Sequence, residues 1–482
     1  MNIEDLFKGY GYIQTDMGSH DIEGLTRFTK RCNANTLYFH LNKDRSIPND
    51  LCAAAIVIDD ECNTDSAPAP LIRVKSARAA YAFACSNFEG IDYTKFKIIG
   101  ITGTNGKTSS ALMLKKILEC ASSKVGFIGT GRIEIGDELI SEEKYSMTCP
   151  DPEILYPALK KMEKAGCNMV VMEVSSHALA LEKVAPIPFE TAVFTGLSSE
   201  HLDFHKDMES YFKEKEKLIK RARYAIINAD DSYGRRLLSE YKEKCIGAGI
   251  LWQSDVSVSD IEYLGLDGLK YIYYTQRYRT MIRLSLLGYC NIYNSMLATA
   301  TATSLGVKPC ECKAALASIG NITGRFEVLK DAGINIIIDY AHTPFALENL
   351  LNSLKAIQIP RQKTTIVFGC GGNRDRSKRP KMAAAAERGA KRVVVTTDNP
   401  RDEDPTSIIC DIVSGFSNSS YAIIQNRALA IEYAILTAEA GSTVVIAGKG
   451  AEAYMYSGGE YIAFNDRSMI ESAIEKRKGF IK

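Results

Sequence analysis

A chain of 482 residues, 46% hydrophobic and 24% charged, has ordinary globular composition and is too long for one core, so two or three domains are expected. Lys+Arg 59 against Asp+Glu 58 leaves almost no net charge, which argues against a protein that grips nucleic-acid backbone. No apolar run approaches the ~18–20 residues of a membrane span, and the opening MNIEDLFKGYG lacks the apolar stretch of a signal peptide. The 13 cysteines show no paired C-x-x-C zinc spacing, so reduced thiols in a cytoplasmic enzyme are expected.

Residues 1–95 hold short strand-like runs, LYFHL at 37–41, AAAIVIDD at 53–60 and LIRV at 71–74, divided by polar turns. From about 96 the pattern becomes strand, glycine-rich turn, helix. KIIGITGTNGKTSSALMLKKILECA sets an apolar strand before a loop, then apolar positions at helical spacing. Further strands are expected at 168–174, 190–195 and 224–228 with helices between, which implies a mainly parallel sheet covered on both faces. Residues 257–287 read as hairpins, because YIYYTQRY and TMIRLSLLG are rich in aromatic and β-branched residues. A third alternating region starts near 324, with strands at 334–339, 364–369, 391–397 and 442–448. It suggests a doubly wound sheet whose ligands lie beyond the carboxyl ends of the strands. The expected domains are therefore 1–95, 96–323 and 324–482, all α/β.

Between strand and helix lies Gly103-Thr-Asn-Gly-Lys-Thr108, where backbone N–H groups and the helix dipole favour phosphate. Lys107 is placed to reach the terminal phosphates of ATP, and Thr108 to offer its hydroxyl to Mg²⁺. Ile101 occupies the first glycine position of the usual G-x-x-x-x-G-K-[ST] spacing, so the loop is a compact variant. Glu173-Val-Ser-Ser-His177 ends one buried strand and Ser199-Glu-His-Leu-Asp-Phe-His205 follows another. Carboxylate oxygens suit Mg²⁺, and imidazole can complete a second metal position. At 396–405, TTDNPRDEDP crowds charges onto a turn at a strand end. Two readings stay open for it: a solvated, salt-bridged loop, or a pocket that grips both ends of a zwitterion.

GTNGKT, EVSSHAL, VFTGLSSEHLDFH, INADD, GRFEVL, DYAHTP, FGCGGNRDRSKRP, DNPR and AGKGAE occur in an order that resembles the Mur ligase family. The resemblance runs from about 96 to the C-terminus and is strongest to the MurE type that adds meso-diaminopimelate. It implies a small N-terminal α/β domain, a central P-loop ATPase domain with a mainly parallel sheet, and a C-terminal Rossmann-like domain. The implied activity is an ATP-dependent amide ligase of peptidoglycan precursor synthesis. It adds meso-diaminopimelate to the D-Glu γ-carboxylate of UDP-MurNAc-L-Ala-D-Glu through an acyl phosphate. ATP and Mg²⁺ are the implied cofactors and small molecules the only implied partners, with no nucleic acid, no membrane span and a monomeric chain.

The resemblance also carries residue roles. Gly103, Thr104, Asn105, Gly106, Lys107, Thr108 and Ser109 match the phosphate loop, and Asn291 and Asn294 the adenine side. Arg325, Asp339 and His342 match nucleotide-contacting residues of the third domain. Lys107, Glu173, His201 and Lys215 match the catalytic set. Thr108, Glu173, His201 and Lys215 match the metal-binding positions, Lys215 as the lysine that is carbamylated in the family. Arg374, Asn399, Pro400, Arg401, Gly448 and Glu452 match the amino-acid pocket, in which Arg401 takes the extra carboxylate that diaminopimelate has and lysine lacks. Thr148, Cys149, Ser175 and Lys183 match positions facing the UDP-muramoyl peptide.

Several positions depart from the family pattern. GLTRFTKRCNANTLYF lacks the family's D-S-R, and the helical segment expected after it shrinks to NKDRSIPNDLC. Lys183, Gly196, Phe345 and Ala451 replace an arginine, an asparagine, an aspartate and a histidine, and the T-T-P motif reads Thr148-Cys149-Pro150. These changes lie mostly on the carrier side of the substrate. They leave open a related ligase acting on another carboxylate, and a non-catalytic ATP-binding sensor.

Overall fold

The Ile-rich run Lys97–Thr102 is buried at every position except its first, as a strand covered on both faces requires. In the computed structural model it lies within an 11-stranded sheet. The structure describes residues 1–11, 13–15, 21–42, 46–62, 67–141, 148–200, 202–418 and 420–481. From one edge the large sheet runs Arg279–Leu284, Leu269–Thr275, Val256–Tyr263, Cys245–Gly249, Tyr224–Asn228, Phe189–Phe194, Lys97–Thr102, Met169–Glu173, Val125–Gly129, Arg132–Ile135 and Glu138–Ser141. The strands from Val256–Tyr263 to Val125–Gly129 run parallel, and antiparallel hairpins extend both edges. The aromatic 257–287 stretch is thus a continuation of the central sheet. The hairpin at the opposite edge escapes sequence reasoning because its strands are short and glycine-punctuated.

The N-terminal unit is a five-stranded sheet ordered Ile13–Thr15, Leu71–Val74, Ala55–Asp59, Thr36–Phe39 and Gly24–Thr26, with only the first strand antiparallel to its neighbour. Helix Ala77–Glu89 starts at Ser76, whose hydroxyl accepts from the Ala79 N–H, and stops at the left-handed Gly90. Its buried alanines let it lie flat against the sheet and against helix Pro152–Lys164 of the central unit. One apolar cluster runs without a break from Phe39 and Tyr81 to Tyr156, Leu159 and Val170.

The C-terminal unit is a six-stranded sheet ordered Glu327–Asp331, Ile334–Asp339, Thr443–Ala447, Thr364–Phe368, Arg392–Val395 and Tyr421–Ile423. All but the first strand are parallel. Helices cover both faces, giving one apolar cluster around Leu347, Ile366 and Met382 and another around Ile431, Val444 and Ile470. Among the described residues no helix is long and apolar enough to cross a membrane. All 13 cysteines are unpaired.

This unit is pinned by a fully buried ion pair. Arg427 donates from Nε and Nη2 to both Asp466 oxygens at 2.7 Å, and from Nη2 to the Ala447 carbonyl at 3.0 Å. Removing one partner strands a desolvated charge, whereas removing both does not. Asp466→Ala is therefore expected to destabilise the unit by about 3–5 kcal/mol. In equilibrium urea unfolding, the double variant Arg427→Met/Asp466→Leu should lose less than either single variant.

Candidate active site

Four strand ends of the C-terminal sheet and four of the central sheet converge on one cavity of about 650 Å³. On the central side, Gly103–Gly106 turns the chain from strand Lys97–Thr102 into helix Lys107–Cys120. Gly106 has φ 84°, and a Cβ there would sit 2.5 Å from Asn294 Oδ1, so the turn requires glycine. The helix is held from behind by Tyr289–Ser304, whose small residues allow close packing. The first-turn N–H groups of Lys107–Cys120 are thereby aimed at the cavity floor.

Lys107 Nζ folds back onto the Gly103 and Thr104 carbonyls at 2.9 and 2.8 Å. Burial pushes its ammonium below the ordinary lysine range, opposed by the charges of Glu200 and Glu173. Thr108 donates to Glu173 Oε2 at 2.9 Å, and the same carboxylate accepts from the N–H and hydroxyl of Thr130 at 2.9 and 3.3 Å. Thr130 in turn donates to the Thr148 hydroxyl at 3.3 Å.

Lys215 lies in helix Met208–Arg221 and is only 1% exposed, while its neighbours Lys213 and Lys217 face solvent. Its Nζ donates to the Gly103 carbonyl at 2.9 Å and stands 4.7 Å from the centre of the Tyr211 ring. Burial, and then the charge of Lys107, drive its ammonium well below the usual lysine range. Tyr211 is stacked on His205, whose Nε2 lies 2.9 Å from Ser176 Oγ.

From the C-terminal unit, Arg325 reaches across to Thr108 Oγ1 at 3.5 Å and stacks over Tyr340 at 4.3 Å. Asp339 accepts from the Phe326 and Ala341 N–H groups at 2.7 and 2.8 Å and so fixes the chain that carries Arg325. Burial raises the Asp339 carboxyl above its ordinary range. His342 Nε2 lies 2.7 Å from Glu200 Oε1 and its Nδ1 lies 2.9 Å from the Tyr340 carbonyl, a second bridge between the units.

The charge-rich turn resolves into separate duties. Glu403 accepts from Arg379 Nη1 and Nη2 at 2.8 and 2.7 Å, which, against the opposing effect of burial and with the Asn373 N–H, holds its carboxyl down at about 2. Asp404 caps helix Pro405–Val413, and Asp402 accepts from Asn373. Arg401, with φ 56°, is left donating to the Gly372 and Asn399 carbonyls at 2.8 and 3.4 Å and forms no ion pair among the described residues. Burial, then the charge of Arg374, lowers its pKa from the ordinary arginine value. Opposite it, Glu452 accepts from Asn399 Nδ2 at 2.9 Å, Lys449 Nζ at 2.8 Å and the Tyr340 hydroxyl at 3.2 Å. Gly448, at φ 114°, leaves room for Asp398, since a Cβ would stand 2.6 Å from its Oδ2.

Thr104 to Ser109, Thr148, Glu173, Ser175, Lys215, Arg325, His342, Arg374, Asn399, Arg401, Gly448 and Glu452 all line the cavity. Gly103 and Asp339 support it from behind through the contacts above, and Pro400 is packed under Gly372. Asn291 and Asn294 are buried at the root of the loop, with Asn294 Nδ2 donating to Asn291 Oδ1 at 2.9 Å. Cys149 is buried beneath the cavity wall, which pushes its thiol up to about 12. Lys183 is buried in an ion pair with Asp151 at 2.6 Å, a carboxylate that also meets Arg27 at 2.5 Å. His201 lies outside the described residues. Glu200, Thr130, Tyr211, Tyr340 and Lys449 join the site without having been singled out in the sequence. Lys449 and Tyr340 stand inside AGKGAE and DYAHTP, so motif membership was the available signal.

The chain matches the Mur ligase middle domain over residues 101–302 and the Mur ligase glutamate ligase domain over residues 324–450. It is 36% identical to the UDP-N-acetylmuramoyl-L-alanyl-D-glutamate–2,6-diaminopimelate ligase of Caldanaerobacter subterraneus subsp. tengcongensis, across 98% of this chain and 99% of that one. The Bacillus cereus ligase of the same name is 37% identical, across 88% of this chain and 87% of that one. A solved structure of a ligase with this name superposes with a TM-score of 0.67 at 26% identity, covering 99% of both chains. The chain belongs to the Mur ligase family, whose members are ATP-dependent ligases that form amide bonds.

Proposed function

We propose that this chain adds meso-diaminopimelate to the D-glutamyl γ-carboxylate of UDP-MurNAc-L-Ala-D-Glu, with ATP as the phosphoryl donor. The observation that carries the reading is a single cavity lined at one end by the phosphate loop and at the other by Arg374, Asn399, Arg401 and Glu452. In this reading residues 96–323 hold ATP, 324–482 hold the amino acid and 1–95 hold the uridine end.

A carboxylate is a poor electrophile until one of its oxygens becomes a phosphate leaving group. The γ-carboxylate oxygen attacks the γ-phosphorus, ADP departs, and an acyl phosphate results. The amine of diaminopimelate then attacks the acyl carbon and loses a proton, and the tetrahedral intermediate expels phosphate to leave the amide. Two anions must meet for the first step, so positive charge has to be in place beforehand. Lys107, Arg325 and the helix N-terminus supply it from this chain.

Thr108 and Glu173 form a hard-oxygen donor set, and among the described residues no three His, Cys, Asp or Glu side chains gather. Such a set fits Mg²⁺, which completes its shell with water and phosphate oxygens. When bound, Mg²⁺ neutralises charge building on the transferred phosphoryl group. Lys215, buried beside Lys107 where its ammonium form is disfavoured, is suited to take up CO₂ as a carbamate and so present anionic oxygens to that region. At the far end Arg401 receives the distal carboxylate, for which lysine has no counterpart.

ADP release is expected only when UDP-MurNAc-dipeptide, meso-diaminopimelate, ATP and Mg²⁺ are all present, with the amide product identified by mass. Turnover without the UDP-linked acceptor would overturn the assignment of the carrier. Arg401→Ala should cost about 2–3 kcal/mol of diaminopimelate binding, roughly a 30- to 150-fold rise in its KM, while the KM for ATP stays unchanged. With ¹³C-bicarbonate, a carbamate signal should form in the native chain and be lost in Lys215→Ala. Carbamylation consumes the neutral amine, so the signal should fade as pH falls through the lowered lysine pKa.

A further inference from the structure

Strands Tyr454–Ser457 and Glu460–Ala463 make a two-stranded hairpin that belongs to none of the larger sheets. Gly458 and Gly459, at φ 57° and 83°, form its left-handed two-residue turn. The register sets Tyr456 opposite Tyr461 and Tyr454 opposite Ala463, so the three tyrosines share one face and Met455 and Ile462 share the other. Tyr461 packs against Tyr454 and Tyr456, with ring centroids 5.0 and 4.6 Å apart. All three rings line the cavity beside Arg401 and Glu452.

A hairpin of this size is marginal by itself, and this one is fastened to the arginine turn. Arg401 N–H donates to the Tyr456 carbonyl at 3.0 Å, Gly458 N–H to the Arg401 carbonyl at 2.7 Å, and Tyr456 N–H to Asn399 Oδ1 at 2.9 Å. The aromatic face is thus set at a fixed distance from the guanidinium. Apart from Tyr340, whose hydroxyl donates to Glu452, the groups named at this end of the cavity, Arg374, Arg401, Asn399 and Glu452, are polar and suit the charged ends of a ligand. The rings are the apolar surface there, and Tyr461 still has 50% of its own surface exposed.

We propose that this hairpin face is a specificity wall, on which Tyr461, backed by Tyr456, packs against the methylene chain of the incoming amino acid. The wall selects for a ligand whose charged ends are separated by several methylenes, since a shorter one cannot reach the arginine end and cover the rings together. The proposal rests on the reading of Arg374, Asn399, Arg401 and Glu452 as the amino-acid pocket.

The test is steady-state kinetics on the full chain with Tyr461→Ala, Tyr461→Phe and Ile462→Ala. Tyr461→Ala should raise the KM for the amino acid about tenfold or more while the KM for ATP stays within about twofold. Tyr461→Phe keeps the ring and should stay near the native value, and Ile462→Ala, on the opposite face, should change neither constant. An unchanged amino-acid KM in Tyr461→Ala, or equal changes for both substrates, overturns the wall. If the native chain adds an amino acid other than meso-diaminopimelate, the pocket reading falls. The same comparison run with that amino acid then decides the wall.

Discussion

The site is organised around half-buried cations that have no carboxylate bound to them. Lys107, Arg325 and Arg401 form no ion pair among the described residues, and each instead donates to a carbonyl or hydroxyl oxygen. A desolvated charge left in this way is unfavourable until an anion arrives. The fold tolerates it because the cations stand on rigid pieces of backbone: a glycine turn packed against Asn294, a segment fixed by Asp339, and a left-handed arginine tied to a hairpin. Phosphate at one end and carboxylate at the other are the natural complements. Electrostatic demand and reaction chemistry therefore point the same way.

The junction between the N-terminal and central units is satisfied internally. Arg27 and Lys183 meet Asp151, and Arg27 also meets Glu153 at 2.8 Å, across the junction between the N-terminal sheet and helix Pro152–Lys164. The same junction shares an unbroken apolar cluster. The junction between the central and C-terminal units carries the polar bridges Arg325–Thr108 and His342–Glu200. The first boundary is thus built as a core, while the second joins these polar contacts to a local apolar contact at Leu287 and Phe326, which suits a cleft that must admit and release ligands.

Much of this was legible in the sequence because the signals were local. Buried parallel strands read as continuous apolar runs, and the phosphate loop reads as a glycine turn between strand and helix. The DNPR turn was legible as charged but not as sorted: only the fold reveals that Glu403 faces Arg379 and Asp404 caps a helix, leaving Arg401 to the cavity. Lys215 was hard to separate from Lys213 and Lys217, since helical phase alone decides which of them is buried. The tyrosine hairpin was missed for a different reason. Its strands have four residues each, and its significance comes from register against Arg401, a contact across more than fifty positions of chain.

Arg379 is 0% exposed and grips Glu403 and Asp411 with both terminal nitrogens of its guanidinium. The shape of the loop below the pocket is therefore set largely by this clamp, with Arg401 adding only its bonds to the Gly372 and Asn399 carbonyls. Recognition and scaffolding are carried by different side chains of one short segment. In the proposed reading, exchanging Arg401 would change which amino acid is accepted while the Arg379 clamp stayed in place. Selectivity in such an enzyme is free to diverge faster than its architecture.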